Sequence, residues 1–177
     1  MNKPDSLRAH LLAEVPDLAR NPDRLLTFID KGKVRCTAAP TLSFEYEYTL
    51  QLILTDFPGH PDTVMIPILG WVRVNQSELL ANLDKSKDGL KFEADILDHS
   101  KVDLSISLPL TERVLVKLND HGKYDVSHPA DQGYQVYGPQ GPIEIYANGE
   151  HQVTYQPPAP PDGMALASPH PKRPTHG

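Results

Sequence analysis

Residues 42 to 55 read LSFEYEYTLQLILT, and this stretch decides the fold of the chain. Apolar side chains occupy every second position: Phe44, Tyr46, Tyr48, Leu50, Leu52 and Leu54. Polar side chains occupy the positions between them: Glu45, Glu47, Thr49 and Gln51. Because successive side chains of a strand point to opposite faces, this alternation predicts a long β-strand that is buried on one face only. We expect the polar set to form a surface on which the protein assembles with partners.

Helices are predicted on both sides of this strand. Leu7 and Leu11 lie on the apolar stripe of a short helix predicted for residues 4–15, and His10 lies on the opposite side, where we expect it to be exposed. A second helical pattern follows residue 62. Pro67 marks either the start of that helix or a kink within it, because proline removes a backbone donor.

The rest of the folded part is rich in strand patterns. They cover residues 25–29, 34–37, 92–96, 102–108, 114–118, 143–146 and 152–155. A turn is predicted at residues 30–32, a bend or edge feature at Pro109, and a hairpin turn at residues 148–149. Strands joined by short turns pair antiparallel. The prediction is therefore an α+β fold: an antiparallel β-sheet with two helices on one face, an extra C-terminal β-hairpin and a disordered, proline-rich tail.

The distribution of proline divides the chain. It has 177 residues, of which 39% are hydrophobic, and seven of its 18 prolines lie between positions 157 and 174. A proline-rich segment without aromatic side chains cannot form a core, so it is expected to be disordered or extended. We predict an α+β domain at residues 1–135, a hairpin extension at 136–156 and the tail at 157–177.

Charge and cysteine content exclude several functional classes. The net charge of −6 argues against a protein that grips nucleic acid through clustered cations. Cys36 is the only cysteine, which excludes an internal disulfide and a cysteine-based metal site, and we expect it to be a small buried hydrophobe in a reducing cytosol. The first residues lack a signal-peptide core, and no stretch approaches membrane-spanning length.

Candidate chemistry is sparse. Asp56, His60 and Asp62 are the nearest approach to a metal-ligand cluster, but the prolines and the glycine between them favour a surface turn. No catalytic, metal or cofactor motif is found. An assembly protein that is not an enzyme is therefore the leading hypothesis. A small metal-dependent hydrolase that uses those three residues is an alternative, and a ligand-binding domain is another.

Several runs of sequence resemble the phage tail completion protein R family. They are KPDSLR at 3–8, NPDRL at 21–25, FIDKG at 28–32, LSFEYEYTL at 42–50, MIPIL at 65–69 with Trp71, and DLSISLPL at 103–110. The resemblance covers roughly residues 3 to 130 and implies an α+β fold without catalytic residues. It also implies a structural protein of the virion in temperate contractile-tailed phages.

Tail-terminator behaviour follows from this resemblance. Such a protein closes the head-proximal end of the tail as a ring, usually of six copies, and presents a docking surface to the head connector. The implied partners are other copies of itself, the tail tube protein, the tail sheath protein and the neck or head-completion proteins. DNA is expected to pass through the ring without sequence-specific binding, and no membrane is involved. The expected location is the virion tail neck, after assembly in the host cytoplasm; a head-side neck ring protein is the alternative.

Overall fold

The computed structural model describes residues 1–37, 41–82, 89–98, 101–130, 141–147 and 149–156. Its helices are α1 (Lys3–Glu14), α2 (Pro16–Arg20), α3 (Asp62–Asn75) and α4 (Glu78–Ala81), with a 3₁₀ turn at Pro22–Arg24. Its strands are β1 (Leu25–Cys36), β2 (Phe44–Phe57), β3 (Lys91–Asp98), β4 (Lys101–Leu118), β5 (Tyr124–Ser127), β6 (Ile143–Ala147) and β7 (Glu150–Tyr155). The main sheet has the order β1-β2-β4-β3, with β5 paired to β4, and β6 and β7 form a separate hairpin. Every pair is antiparallel.

The core lies between one face of this sheet and the helices. The even-numbered residues of β2 from Tyr48 to Leu54 are buried, and so are those of β4 from Val102 to Val116. Leu7 and Leu11 of α1 and the apolar side of α3 complete the same cluster. Trp71 of α3 also donates a hydrogen bond from Nε1 to Ser6 Oγ at 3.1 Å, which ties the two helices together. The predicted α+β fold, with helices on one face of an antiparallel sheet, is confirmed.

One correction concerns the first strands. The two short strands predicted at 25–29 and 34–37 are a single strand, β1, whose register on β2 runs from Leu25↔Leu54 to Cys36↔Phe44. The predicted turn at residues 30–32 is a bulge, because the register shifts between Asp30 and Lys33 and Lys31 adopts a φ of 52°. A bulge absorbs an extra residue without ending the pairing.

A second correction concerns β4, where two predicted strands are also one. Pro109 pairs with Thr49 of β2 and does not bend the strand out of the sheet. On the other side of β4, pairing with β3 stops at Ser107 and pairing with β5 starts at Leu115. Proline lacks a backbone donor, so it fits a stretch where one side has no strand partner. The edge interpretation of Pro109 is therefore correct, and the bend is wrong.

The second helix excludes one of the two alternatives for Pro67, namely that the helix starts there, and two single residues differ from expectation. α3 begins before Pro67 and continues beyond it to Asn75. Cys36 is exposed, and it is the last residue of the edge strand β1. His10 is partly buried: its Nε2 lies 3.2 Å from the Pro67 carbonyl oxygen, and burial lowers its pKa despite the opposing influence of Glu14.

The C-terminal hairpin packs on the helices of its own subunit. Tyr155 of β7 is 3% exposed and stands edge-on to His10 with ring centroids 6.1 Å apart. Its hydroxyl lies against Gly70 of α3, where a Cβ atom would overlap it. The Gln156 N–H donates to Glu14 Oε2 at 2.8 Å. The predicted hairpin is thus present, although residue 148 of its turn lies outside the described residues. The predicted tail at 157–177 also lies outside them. The domain boundaries stay a prediction.

Candidate assembly surfaces

The sheet has an outer face, defined here as the side opposite α1 and α3. On β2 this face carries the four predicted surface residues: Glu45, Glu47, Thr49 and Gln51. All four are partly exposed and point away from the apolar core. The alternation read from the sequence therefore places these side chains together.

The two glutamates of the outer face are ion-paired within the subunit. Lys33 of β1 lies opposite Glu47, with 2.9 Å between Nζ and Oε1. Arg35 lies opposite Glu45, and its NH1 is 3.7 Å from Glu45 Oε1 and 3.9 Å from Glu47 Oε2. Exposed pairs of this kind contribute at most about 1 kcal/mol to stability. Their main effect is on the surface, which is a mixed ladder of both signs and not a bare acidic strip.

The four-residue β5 pairs only with β4 among the described strands, and the long open margins of the sheet are β1 and β3. They are its terminal strands, and each pairs on one side only with another described strand. An edge strand presents unpaired N–H and C=O groups that can accept another strand. Both edges also expose apolar side chains: Phe28 (52%) and Val34 (60%) on β1, and Phe92 (61%) and Ile96 (83%) on β3. Solvent-exposed aromatic and branched residues along an unpaired edge are features of an interaction surface.

A third stretch without a strand partner, on β4 between Ser107 and Leu115, is covered from within the subunit. Gln76, which follows α3, accepts a hydrogen bond from the Thr111 N–H at 3.2 Å and donates one to Thr111 Oγ1 at 3.0 Å. Lys3 Nζ donates to the same amide oxygen at 2.7 Å. Because Gln76 occupies the Thr111 backbone donor, this stretch is a protected edge, in contrast to β1 and β3.

A buried carboxylate fixes the start of α1 to the sheet. Glu112 of β4 is 4% exposed and accepts hydrogen bonds from the Asn2 N–H at 2.6 Å and the Lys3 N–H at 3.3 Å. Tyr48 Oη donates to Glu112 Oε2 at 3.3 Å, and His128 Nδ1 lies 3.0 Å from Oε1. The first N–H groups of a helix have no intrahelical partner and attract negative charge. Burial, followed by the nearby Glu112 charge, raises the pKa of Tyr48.

The sequence reasoning missed Glu112, although the sequence contains a signal for it. From Val102 to Val116, every even position of β4 is apolar except this one. A carboxylate on the buried face of a strand requires partners, since an unpaired buried charge is costly. The partners are backbone N–H groups about 110 positions away along the chain, which no local pattern reveals.

The three candidate metal ligands do not converge. Asp56 pairs with Lys101 at 3.4 Å, whereas His60 Nδ1 lies 3.2 Å from Asp62 Oδ2. Within the described ranges, no three histidine, cysteine or acidic side chains form a group that could hold a metal ion. No helix in the described part of the chain is long and apolar enough to cross a membrane.

Comparison with known proteins identifies similar sequences. Residues 1–132 match the family model described as P2 phage tail completion protein R (GpR). A curated relative, Tail completion protein R of Escherichia phage P2, is 43% identical over 152 residues, which make up 85% of this chain and 96% of the relative. No solved structure matches the chain.

Proposed function

This chain belongs to the P2 phage tail completion protein R family, and from that membership we propose that it closes the head-proximal end of a contractile tail as a ring and joins it to the head connector. It is a structural protein of the phage tail and not an enzyme. Its place is accordingly in the virion. The finer statements, namely the ring, the neck position and the connection to the head, are the proposal.

The observation that carries the ring is the pair of open edges. β1 and β3 lie at opposite ends of the strand order, so each copy offers two different margins. An interface between two different surfaces of identical subunits is heterologous, and such an interface forms a ring when the rotation between neighbours closes. Six copies are the number that we propose, and assembly takes place in the host cytoplasm.

The remaining surfaces suit the other partners. The outer face of β2, with Glu45, Glu47, Thr49 and Gln51, is polar and balanced by Lys33 and Arg35. Such a face tolerates DNA that moves past it, because strong retention of phosphates requires clustered, unneutralised cations. We assign it to the DNA channel or to a polar partner in the tail. The tail tube protein, the tail sheath protein and the neck or head-completion proteins are the proposed contacts at the two rims of the ring.

The function is tested by locating the protein on separated assembly products. Tails are isolated from an infection that makes no heads, and filled heads from one that makes no tails; both are probed with an antibody to this protein. We expect the label at one end of the head-free tails and none on the heads. Label on filled heads alone would instead identify a head-side neck ring protein and would reject the proposal.

A complementation experiment tests the joining step. Tails made without this protein are mixed with filled heads, with and without added purified protein. Infectious particles are expected only when the protein is present. Equal numbers of infectious particles in both mixtures would show that the protein is not needed to join heads to tails.

A further inference from the structure

We propose that β3 of one copy pairs antiparallel with β1 of the next copy, with Val34 opposite Ala94, so that the sheets of neighbouring copies continue into one another. The inference rests on the proposed ring and adds to it the residues that form the interface. Three features of the two edges support this interface: strand direction, charge on the outer face and apolar contact on the inner face.

Strand direction permits this pairing. β2 is antiparallel to β1, β4 is antiparallel to β2, and β3 is antiparallel to β4, so β3 runs opposite to β1. A rotation about an axis parallel to the strands keeps the direction of every strand. The β1 strand of the next copy therefore meets β3 in the antiparallel sense that the rest of the sheet already has.

The outer faces of the two edges carry opposite charges. Lys33 and Arg35 lie on the outer face of β1 with 61% and 68% of their side chains exposed. Glu93 and Asp95 lie on the outer face of β3, opposite Ser105 and Asp103, and both are exposed. Opposite charges directly across from one another stabilise an antiparallel pair, and like charges destabilise it. Two β1 edges or two β3 edges therefore repel, which favours the head-to-tail contact that a ring requires.

The charges also define a register. In an antiparallel pair, placing Lys33 opposite Asp95 and Arg35 opposite Glu93 places Val34 opposite Ala94 and Cys36 opposite Phe92. Val34, Cys36, Ala94 and Phe92 pair in register with Tyr46, Phe44, Leu104 and Ile106, so they lie on the same side of the sheet as the core. Val34 and Phe92 are 60% and 61% exposed in the single subunit. The contact removes this apolar surface from water and extends the core from one copy to the next.

The native Cys36 allows a covalent test of this register. Facing residues of an antiparallel pair have Cα atoms about 4.5 to 5.5 Å apart, within the range that a disulfide accepts. Tails assembled with the Phe92→Cys variant are treated with a mild oxidant and analysed on non-reducing gels. We expect a ladder of covalent oligomers up to the full ring, which returns to monomer on reduction.

Two controls define the result. The double variant Cys36→Ser/Phe92→Cys is expected to give no ladder, because the second sulfur is missing. Tyr146→Cys places a thiol at a comparably exposed position on the β6–β7 hairpin, where Tyr146 is 57% exposed, and is expected to give no ladder either. If Phe92→Cys cross-links no better than Tyr146→Cys while electron microscopy still shows a ring on the tails, the interface is wrong and the proposed function stands. A tail end without any ring rejects the proposed function itself.

A charge exchange tests the same interface without cross-linking. The variant Glu93→Lys/Asp95→Lys makes the β3 edge cationic, and Lys33→Glu/Arg35→Glu makes the β1 edge anionic at the loss of the exposed Lys33–Glu47 and Arg35–Glu45 pairs. In each variant alone the two edges have like charge, which disfavours association by about a hundredfold or more. In a mixture, alternate copies present complementary edges on both sides. Neither variant alone is therefore expected to complete tails. The mixture of the two variants is expected to complete them.

Matched controls separate charge at the edge from total charge. Asp120→Lys/Glu150→Lys and Lys117→Glu/Lys123→Glu change the same number of charges at exposed positions outside β1 and β3, and both are expected to complete tails. Circular dichroism establishes that each purified variant is folded. Normal tail completion by either edge variant alone would overturn the inference, and so would failure of the folded mixture.

Discussion

At the scale of single residues, the buried carboxylate of Glu112 joins the beginning of the chain to the centre of the sheet. It accepts hydrogen bonds from two backbone N–H groups at the start of α1 and from Tyr48 Oη. A missing acceptor leaves a buried donor unsatisfied, and the desolvation cost of that donor then remains.

Glu112→Ala is expected to lower the free energy of unfolding by about 1 to 3 kcal/mol, or more if several donors stay dry. Tyr48→Phe removes one donor and keeps the acceptor, so we expect a loss of about 1 kcal/mol or less. Urea denaturation followed by tryptophan fluorescence measures both, since Trp71 lies at the α1–α3 contact. A larger loss for Tyr48→Phe than for Glu112→Ala would contradict the role given to the carboxylate.

His10 gives the fold a pH dependence. Burial holds its pKa below the usual value of about 6.5, despite the opposing Glu14 charge and Pro67 carbonyl. The unfolded chain therefore binds a proton more readily than the folded one. The contribution of His10 is fully present above about pH 6.5 and is lost as the pH falls through the lower folded-state pKa. We expect His10→Gln to lose less stability than the native protein between pH 7.5 and pH 5.5; an identical loss in both would show that His10 is not the group responsible.

At the scale of the elements, the hairpin and α3 fit together because α3 lacks a side chain at one position. Gly70 lies directly under the Tyr155 ring, and a Cβ atom there would overlap the Tyr155 hydroxyl and approach its ring carbon to 2.9 Å. The neighbouring bond from the Gln156 N–H to Glu14 holds the end of β7 on α1. The hairpin is therefore attached to the helices by a small and sharply defined contact.

Gly70→Ala is expected to undock the β6–β7 hairpin and leave the main sheet folded. The expected readout is faster proteolytic cleavage within residues 141–156, with little change in circular dichroism. Gly141→Ala is the matched control, because nothing lies within 4 Å of a Cβ atom at Gly141. Equal cleavage rates in the two variants would contradict the docking geometry.

The sequence predicted the faces of the strands better than their ends. Alternation places a side chain on a face whatever strand lies beside it, which is why the outer-face positions of β2 and the buried positions of β4 agree with the structure. The signals at residues 30–32 and at Pro109 are local, and pairing along the 14-residue β2 overrides both of them. The bulge accommodates residues 30–32 and the unpaired side of β4 accommodates Pro109, at a smaller cost in free energy than interruption of the two strands.

The order of the strands within the sheet could not be predicted from the sequence pattern. β2 pairs with β4 and not with β3, although β3 precedes β4 along the chain. A period of two residues indicates which face a side chain occupies and says nothing about the neighbouring strand. Recognition of β1 and β3 as the open edges, and of Glu112 as a buried anchor, depends on this order and was therefore not available from the pattern.

At the scale of the whole molecule, Gln156 is the last described residue and makes the last described contact of the fold. The contacts of Tyr155 and Gln156 with α3 and α1 complete the packing of the hairpin. Removal of residues 157–177 is therefore expected to leave the denaturation midpoint unchanged and to weaken the attachment of tails to heads. Truncation after residue 140 is the comparison, and it is expected to lower the midpoint because it uncovers the hairpin contact on α3. Full infectivity of phage whose protein lacks only residues 157–177 would show that these residues do not serve attachment.

In the proposed ring, the difference between the β1 and β3 edges gives each copy a direction. One edge is cationic on its outer side, the other edge is anionic, and the third unpaired stretch is covered by Gln76. The proposed interface therefore joins β3 of one copy to β1 of the next and gives all copies the same orientation. A closed ring follows if the rotation between neighbours divides a full turn evenly and carries no translation along the axis.

Cryo-electron microscopy of head-free tails, averaged at the head-proximal end, tests the proposed ring and its β3–β1 interface most directly. We predict a closed ring of this protein in which strand density continues from β3 of each copy into β1 of the next. A tail end that lacks the protein, or a ring whose copies meet through other surfaces, would contradict it.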